Sequence, residues 1–350
     1  MRYTASQYDG QSSYSKSNDS NGNLKWETTT SYNVGIDLGL WDRKVNIVAD
    51  AYYKKTSDLL LDVPVGFSQG VSSQLQNVGN VENKGFELSV DYTIINSQDL
   101  QWSVSANIAH NVNTITDMGT TNNVIQGSAK ETILRKGESL GSFYGLKFDG
   151  IVQADEDVSK LPTINGSKLK AGDVKYIDAD GNGRIDGNDR VILGSIQPDI
   201  TYGFSTQVKW RGLDASASFS GSHGNELYNG LGRRLEQTGD SYNLLRSVLN
   251  SWTEENRSQR YAEGSRERVT SYIDSRYVED ASYLKLRNVT IGYKFKTEPK
   301  LPFKVRVFAT ASNLFTVTNY SGYDPEVASG TDTGAYPASR SFVFGVDLGL

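Results

Sequence analysis

The connections between the extended segments of this chain come in two lengths, and the two alternate. Short polar turns fall at 40–44, 96–99, 211–212 and 297–302. Long excursions fall at 58–79, 114–199, 223–281 and 316–339. Short turns on one side and long loops on the other are the construction of an outer-membrane β-barrel.

Most of the joined segments alternate apolar and polar residues. At the C-terminus Phe342, Phe344, Val346, Leu348 and Leu350 fall on one face, and Ser341, Val343, Gly345, Asp347 and Gly349 on the other. A period of two puts each set on one side of a strand. The same pattern runs through Val34, Ile36, Leu38 and Leu40, through Phe86 to Ile94, through Leu213 to Phe219, and through Val305 to Ala311, where Phe308 blurs it. Alternation alone also fits a soluble β-sandwich with one wet face.

Three features favour the membrane. The segments 27–40, 44–56, 80–95 and 283–295 exceed the roughly 5–6 residues usual in soluble sheets and cover the ~9–11 that a tilted spanning strand needs. Aromatic residues sit near segment ends, at Trp26, Trp41, Trp102, Trp210, Tyr283, Phe303 and Phe315, as in interfacial girdles. Loops of this length are uncommon in compact soluble domains. Hydrophobic content is 37% and mean hydropathy −0.49, too polar for a helical membrane protein, and no apolar run approaches the ~20 residues of a spanning helix. A barrel with a wet lumen tolerates this polarity. The chain has no cysteine, and its 36 basic and 41 acidic residues leave no basic stripe for nucleic acid.

The opening Met1-Arg2-Tyr3-Thr4 leads into no apolar core, so no signal peptide is expected there. Nine full strands and a partial one at Arg2–Tyr8 are predicted. An open sheet edge cannot face lipid, so either about ten strands close a small barrel or the chain is part of a larger one.

Several stretches resemble, in family order, the C-terminal barrel region of SusC/RagA-type TonB-dependent outer-membrane transporters. They are Asn23-Leu24-Lys25-Trp26-Glu27 with Asn33-Val34-Gly35-Ile36-Asp37, Tyr52 to Leu60, and Asn77-Val78-Gly79-Asn80-Val81-Glu82-Asn83-Lys84-Gly85-Phe86-Glu87. Asp178 to Asp186, Gly194 and Pro198, Tyr202-Gly203-Phe204, Val278 to Asn288, Asn313-Leu314-Phe315-Thr316, Gly322-Tyr323-Asp324-Pro325-Glu326, Tyr336-Pro337 and Arg340 follow. The resemblance implies an all-β, antiparallel, partial barrel of about nine to ten strands spanning 1–350, from a plugged transporter of about 22 strands, with the plug absent here. It implies import of glycans, oligosaccharides or peptides across the outer membrane of a Gram-negative bacterium. The implied partners are the rest of the barrel and its plug, a SusD-like surface lipoprotein, and the TonB complex acting through the missing N-terminal part. The isolated chain is not expected to transport, and no enzyme activity is implied. Gly345, Leu348 and Leu350 resemble the terminal insertion signal of outer-membrane barrels, although that signal usually ends in an aromatic residue.

One local motif stands apart. Asp178, Asp180, Asn182, Asp186 and Asp189 occupy positions 1, 3, 5, 9 and 12 of a calcium-loop template, with Gly183 at 6 and the Arg184 backbone carbonyl at 7. Asp189 replaces the usual Glu, and no helices are expected to flank the loop, so it is not an EF-hand. The same residues also make turns without a metal. Residues 241–256 read as a helix, with Leu244, Leu245, Val248, Leu249 and Trp252 at helical spacing and Asp240 or Ser241 as its cap. Tyr228, Trp252 and Tyr261 are candidates to stack on sugar faces. Residues 142–153 are a candidate extra hairpin. His110 and His223 sit on strand or loop edges and read as structural. Besides the importer wall, a small free-standing porin or adhesin and a soluble secreted calcium-loop sugar-binding module stay open.

Overall fold

The computed structural model describes residues 2–8, 11–18, 21–66, 68, 70–71, 73–119, 123–126, 131–237, 243–264, 272–295 and 304–349. Nine long strands pair antiparallel in chain order to form one sheet. They are β1 (Thr28–Leu40), β2 (Val45–Ser57), β3 (Asn80–Asn96), β4 (Leu100–Asp117), β5 (Ile200–Trp210), β6 (Leu213–His223), β7 (Tyr283–Lys294), β8 (Lys304–Ser312) and β9 (Ser341–Gly349). The short strand Thr316–Thr318 adds to the outer end of β7. β1 and β9 are the two edges, so the sheet is a barrel wall that does not close on itself among the described residues.

At the short turns the predicted strand ends hold to within a residue or so, because turn chemistry sets them. Between β5 and β6, Arg211 and Gly212 both take positive φ, 46° and 97°, as a two-residue type I′ hairpin requires. Any Cβ at Gly212 would meet the Lys294 carbonyl at 2.6 Å. Between β1 and β2 the turn is made by Trp41, Asp42 and Arg43, all left-handed, at 52°, 54° and 62°. Between β3 and β4, Ser97 exchanges backbone and side-chain hydrogen bonds with Leu100. The expected turn at 297–302 and the girdle residue Phe303 lie outside the described residues. Trp41, Trp102 and Trp210 are exposed on the short-turn rim, and Trp26 and Phe315 are exposed on the long-loop rim.

Several expectations are corrected. Arg2–Tyr8 does not join the wall but pairs with Gln11–Asn18 in a separate hairpin. β4 runs to Asp117 instead of ending at 113, so its loop begins later. Residues 142–153 hold two strands that do not pair with each other: Ser142–Gly145 pairs with Val191–Ser195 and Phe148–Ile151 with Val174–Tyr176. The helix predicted over 241–256 is not formed. Residues 241–242 lie outside the described set, Leu245 is extended, and only a 3-10 turn, Arg246–Asn250, follows. Its apolar residues point different ways, with Leu249 80% exposed and Trp252 5%, so their helical spacing did not report one buried face. Among the described residues the one α-helix is α1, Gly230–Glu236, capped by Asn229, whose Oδ1 accepts the Gly232 N–H at 2.6 Å.

The hydrophobic core lies among the long loops, on one rim of the wall. Leu146, Ile151, Val152, Ile164, Leu169, Val174 and Trp252 form its largest cluster. Phe143, Tyr228, Ile273 and Tyr277 form another. A three-stranded loop sheet, with Glu226–Asn229 between Val278–Asp280 and Thr331–Asp332, ties the last two long loops together. A bridge between Leu146 and Asp274 ties in the loop after β4. The loops thus form a packed crown.

Candidate functional site

The wall has two faces of opposite chemistry. Reading the register across all nine strands, Leu40, Val45, Tyr92, Val104, Thr206, Ala217, Val289, Ala311 and Phe342 lie in one continuous row. One residue along each strand, on the other face, lie Gly39, Asn46, Asp91, Ser105, Ser205, Ser218, Asn288, Ser312 and Ser341. The first row has two members with a polar group, Tyr92 and Thr206, and the Thr206 hydroxyl accepts from Trp102 Nε1 at 3.0 Å and donates to the Ser103 carbonyl. The other seven members offer lipid no polar side-chain group. The apolar stripe of β9 faces outward, with Phe344 80% and Leu348 72% exposed. A soluble sandwich would bury such a stripe. Leu350 lies outside the described residues.

The opposite, luminal face carries small and charged side chains bonded across strands. Arg306 of β8 reaches over Gly292 of β7 to Asp214 of β6, with Nη2–Oδ2 at 2.6 Å and Nε–Oδ1 at 2.9 Å. Its Nη1 donates to Asp347 of β9 at 2.8 Å. Nearer the crown, the Tyr52 hydroxyl donates to Asn111 at 2.9 Å, and Asn111 and Asn113 both donate to Asn83. Asn113 also accepts the Leu140 N–H at 2.8 Å, which fastens a long loop to the wall.

The calcium-like loop is an ordered turn. Asp178 accepts the N–H groups of Gly181, Asn182 and Gly183, at 2.8, 3.2 and 2.8 Å. These bonds, that from Gly183 foremost, hold its carboxyl below the usual range against a smaller opposing effect of burial. Asp180 accepts from Asn182 N, and Asn182 Oδ1 from Arg184 N. The fully buried Asp189 accepts from Ala179 N and Asp186 N, at 2.9 and 2.7 Å. Oxygens of Asp178, Asp180 and Asp189 lie within 4.8 Å of one another. Asp186 instead caps the 3-10 turn Gly187–Asp189 through the Asn188 N–H. Gly183 has φ 78°, the left-handed value position 6 requires. The three converging carboxylates are hard oxygen donors, the ligand type that Ca²⁺ prefers.

The three candidate stacking residues do not share a surface. Tyr228 and Trp252 are buried in different clusters, Trp252 donating to Gln153 at 3.1 Å. Tyr261 is half-buried and donates to Glu236 at 3.1 Å. His110 Nδ1 bonds the Asp199 carbonyl at 2.6 Å and its ring lies 5.6 Å from Phe86. His223 ends β6 opposite Ile200. Sequence reasoning missed the Arg306 clamp and the asparagine relay, whose members are adjacent only once the register is known.

An open antiparallel wall with a lipid-facing apolar side, a wet ionic side and a one-sided crown of loops defines a section of an outer-membrane transport barrel. Residues 2–314 match the family described as TonB dependent receptor-like, beta-barrel. The chain is 34% identical over 352 residues to TonB-dependent receptor P3 of Formosa agariphila, covering 94% of this chain and 34% of that protein. It is 30% identical over 342 residues to TonB-dependent receptor SusC of Bacteroides thetaiotaomicron, covering 94% and 32%. Among solved structures, the RagAB peptide transporter superposes with a TM-score of 0.83 at 28% identity, covering 99% of this chain and 38% of that one. The chain therefore belongs to the TonB-dependent receptor β-barrel family and is of the SusC/RagA type. It spans about a third of the length of the curated relatives it matches. Those relatives are receptors and transporters, not enzymes.

Proposed function

We propose that this chain is a section of the wall of a TonB-dependent importer in the outer membrane of a Gram-negative bacterium. The importer takes up peptides or oligosaccharides, working with a plug domain, the TonB complex and a SusD-like surface lipoprotein. The observation that carries the reading is the pair of adjacent nine-residue rows, one apolar and one polar, together with two unpaired edges. Such a wall needs lipid on one side, water on the other and further strands at both edges. The likeness to a peptide transporter favours peptides over sugars as cargo. A self-closed porin would pair β1 with β9, and these strands do not meet.

Disrupting the gene and growing the host on peptides or on oligosaccharides as sole nutrient tests the cargo. Loss of growth on peptides alone supports the peptide reading, and loss on oligosaccharides alone replaces it. Growth unimpaired on every such nutrient, with the protein present in wild-type outer membranes, rejects the importer. We also propose that 178–189 takes up Ca²⁺, on the strength of its three converging carboxylates. Calorimetry on the outer-membrane protein checks this, and no binding at millimolar Ca²⁺ rejects it.

A further inference from the structure

We infer that a β-bulge at Arg287 reverses the side-chain parity of β7 so that two cations of the wall turn inward, and that these cations hold the last long loop, 319–340, as a strap fixed to the luminal face. Along the lower part of β7 the odd-numbered residues face lipid: Val289, Ile291 and Tyr293 pair with Ala217, Ala215 and Leu213. Unbroken alternation would send Lys285 and Arg287 to lipid as well. The register shifts between Asn288, opposite Ser218, and Leu286, opposite Phe219. Above the shift Leu284 and Leu286 take the lipid side, while Lys285 lies opposite luminal Ser220. An extra residue in one strand is the usual means of re-aiming a side chain.

The strap meets these cations with two carboxylates. Lys285, 2% exposed, donates to Asp324 at 3.2 Å and to Glu326. Arg287 makes a two-pronged pair with Glu326 and donates from Nε to Ser220 of β6. The Tyr283 hydroxyl donates to Glu326 at 2.7 Å. Asp324 further accepts the N–H of Glu326 at 3.1 Å and of Ala338 at 3.3 Å, so it gathers both limbs of the loop. Tyr320, which is buried, donates to Asp332 at 2.8 Å. The strap thereby carries Ser321, Gly322 and Tyr323 into the lining of a crown cavity of about 190 Å³, which they share with Leu231, Leu235 and Leu245. The Lys285 ammonium is enclosed and spends its donors on Asp324 and Glu326, and a charge so enclosed is poorly screened by salt, so the strap is a fixed wall of that cavity and not a free flap.

Hydrogen exchange read by mass spectrometry, on the protein purified from outer membranes in detergent, tests the strap. In Glu326→Gln the amides of 319–332 are expected to exchange at least tenfold faster than in the wild type, with β8 unchanged. In the wild type 1 M NaCl leaves them unchanged. Equal rates in variant and wild type overturn the proposal, as does a tenfold acceleration of the wild type by salt. If Glu326→Gln fails to reach the membrane, Asp324→Asn serves, with a smaller acceleration expected and none overturning the claim. The parity reversal has its own test, since the chain contains no cysteine. A spin label on Leu284→Cys is expected to be quenched by lipid-soluble oxygen several-fold more strongly than one on Lys285→Cys; the reverse order overturns it.

Discussion

Gly292 is small because Arg306 passes over it. A Cβ there would lie 2.6 Å from Nη2 of that guanidinium, which must cross β7 to reach Asp214. Gly292→Val should therefore break the clamp and overpack the luminal face, a loss of about 1–3 kcal/mol. It should appear as a lower temperature for the gel shift from folded to unfolded barrel; an unchanged temperature would show the clamp to be dispensable. Arg306→Lys should not restore it, because an ammonium cannot serve Asp214 and Asp347 in two directions with a planar fork. Glu326 makes a pH prediction. Burial alone would raise its carboxyl, but donors on Arg287, Lys285 and Tyr283 outweigh burial and hold it at about 2, with Asp324 the neighbouring acid. A folded value below the ordinary ~4.3 adds stability that is complete above that pH and is lost as pH falls through 2. Exchange in the strap, corrected for its intrinsic rate, should be flat from about pH 8 to 5 and rise below about 4. A rise already at pH 6 would contradict the arrangement.

At the scale of strands, the two faces predict opposite responses to the same substitution. Phe344 and Val343 are neighbours on β9, one on the apolar side and one on the luminal side. Phe344→Lys should destabilise the wall by about 2–4 kcal/mol if it lies near the bilayer midplane, and Val343→Lys by much less. Equal effects in a denaturant titration in lipid would mean that the faces are misassigned. These faces were legible in the sequence because a period of two runs through the wall strands apart from bulges such as those in β3 and β7, and β1, predicted over 27–40, forms at Thr28–Leu40. The loops were legible only as lengths. The helix expected around Trp252 failed because Trp252 packs against Ile151 and its neighbours, a contact no local pattern carries. The helix that does form contains Gly230 and Gly232, poor helix formers, and its start depends on the Asn229 cap. The cations at 285 and 287 were readable as charges within a strand, but the bulge that turns them inward depends on which residues β6 sets opposite.

At the scale of the molecule, the decisive quantity is the unpaired edge. Among the described residues, β1 presents 13 residues with no neighbour on one side, and β9 presents 9. On each strand about half of the backbone donors and acceptors point along the sheet away from the existing partner. In water those groups are solvated; in hydrocarbon each costs several kcal/mol. Summed over two edges, this exceeds the ~5–15 kcal/mol by which a folded domain is normally stable. Residues 1–350 refolded alone into lipid vesicles should therefore not give a heat-modifiable monomeric band, whereas the same residues joined to strands that satisfy both edges should. The crown does not rescue the isolated wall, because its buried clusters lie on the loop rim and leave the edges of β1 and β9 uncovered. A monomeric, protease-resistant barrel from 1–350 alone would require β1 and β9 to pair, and would replace the wall section with a small closed pore.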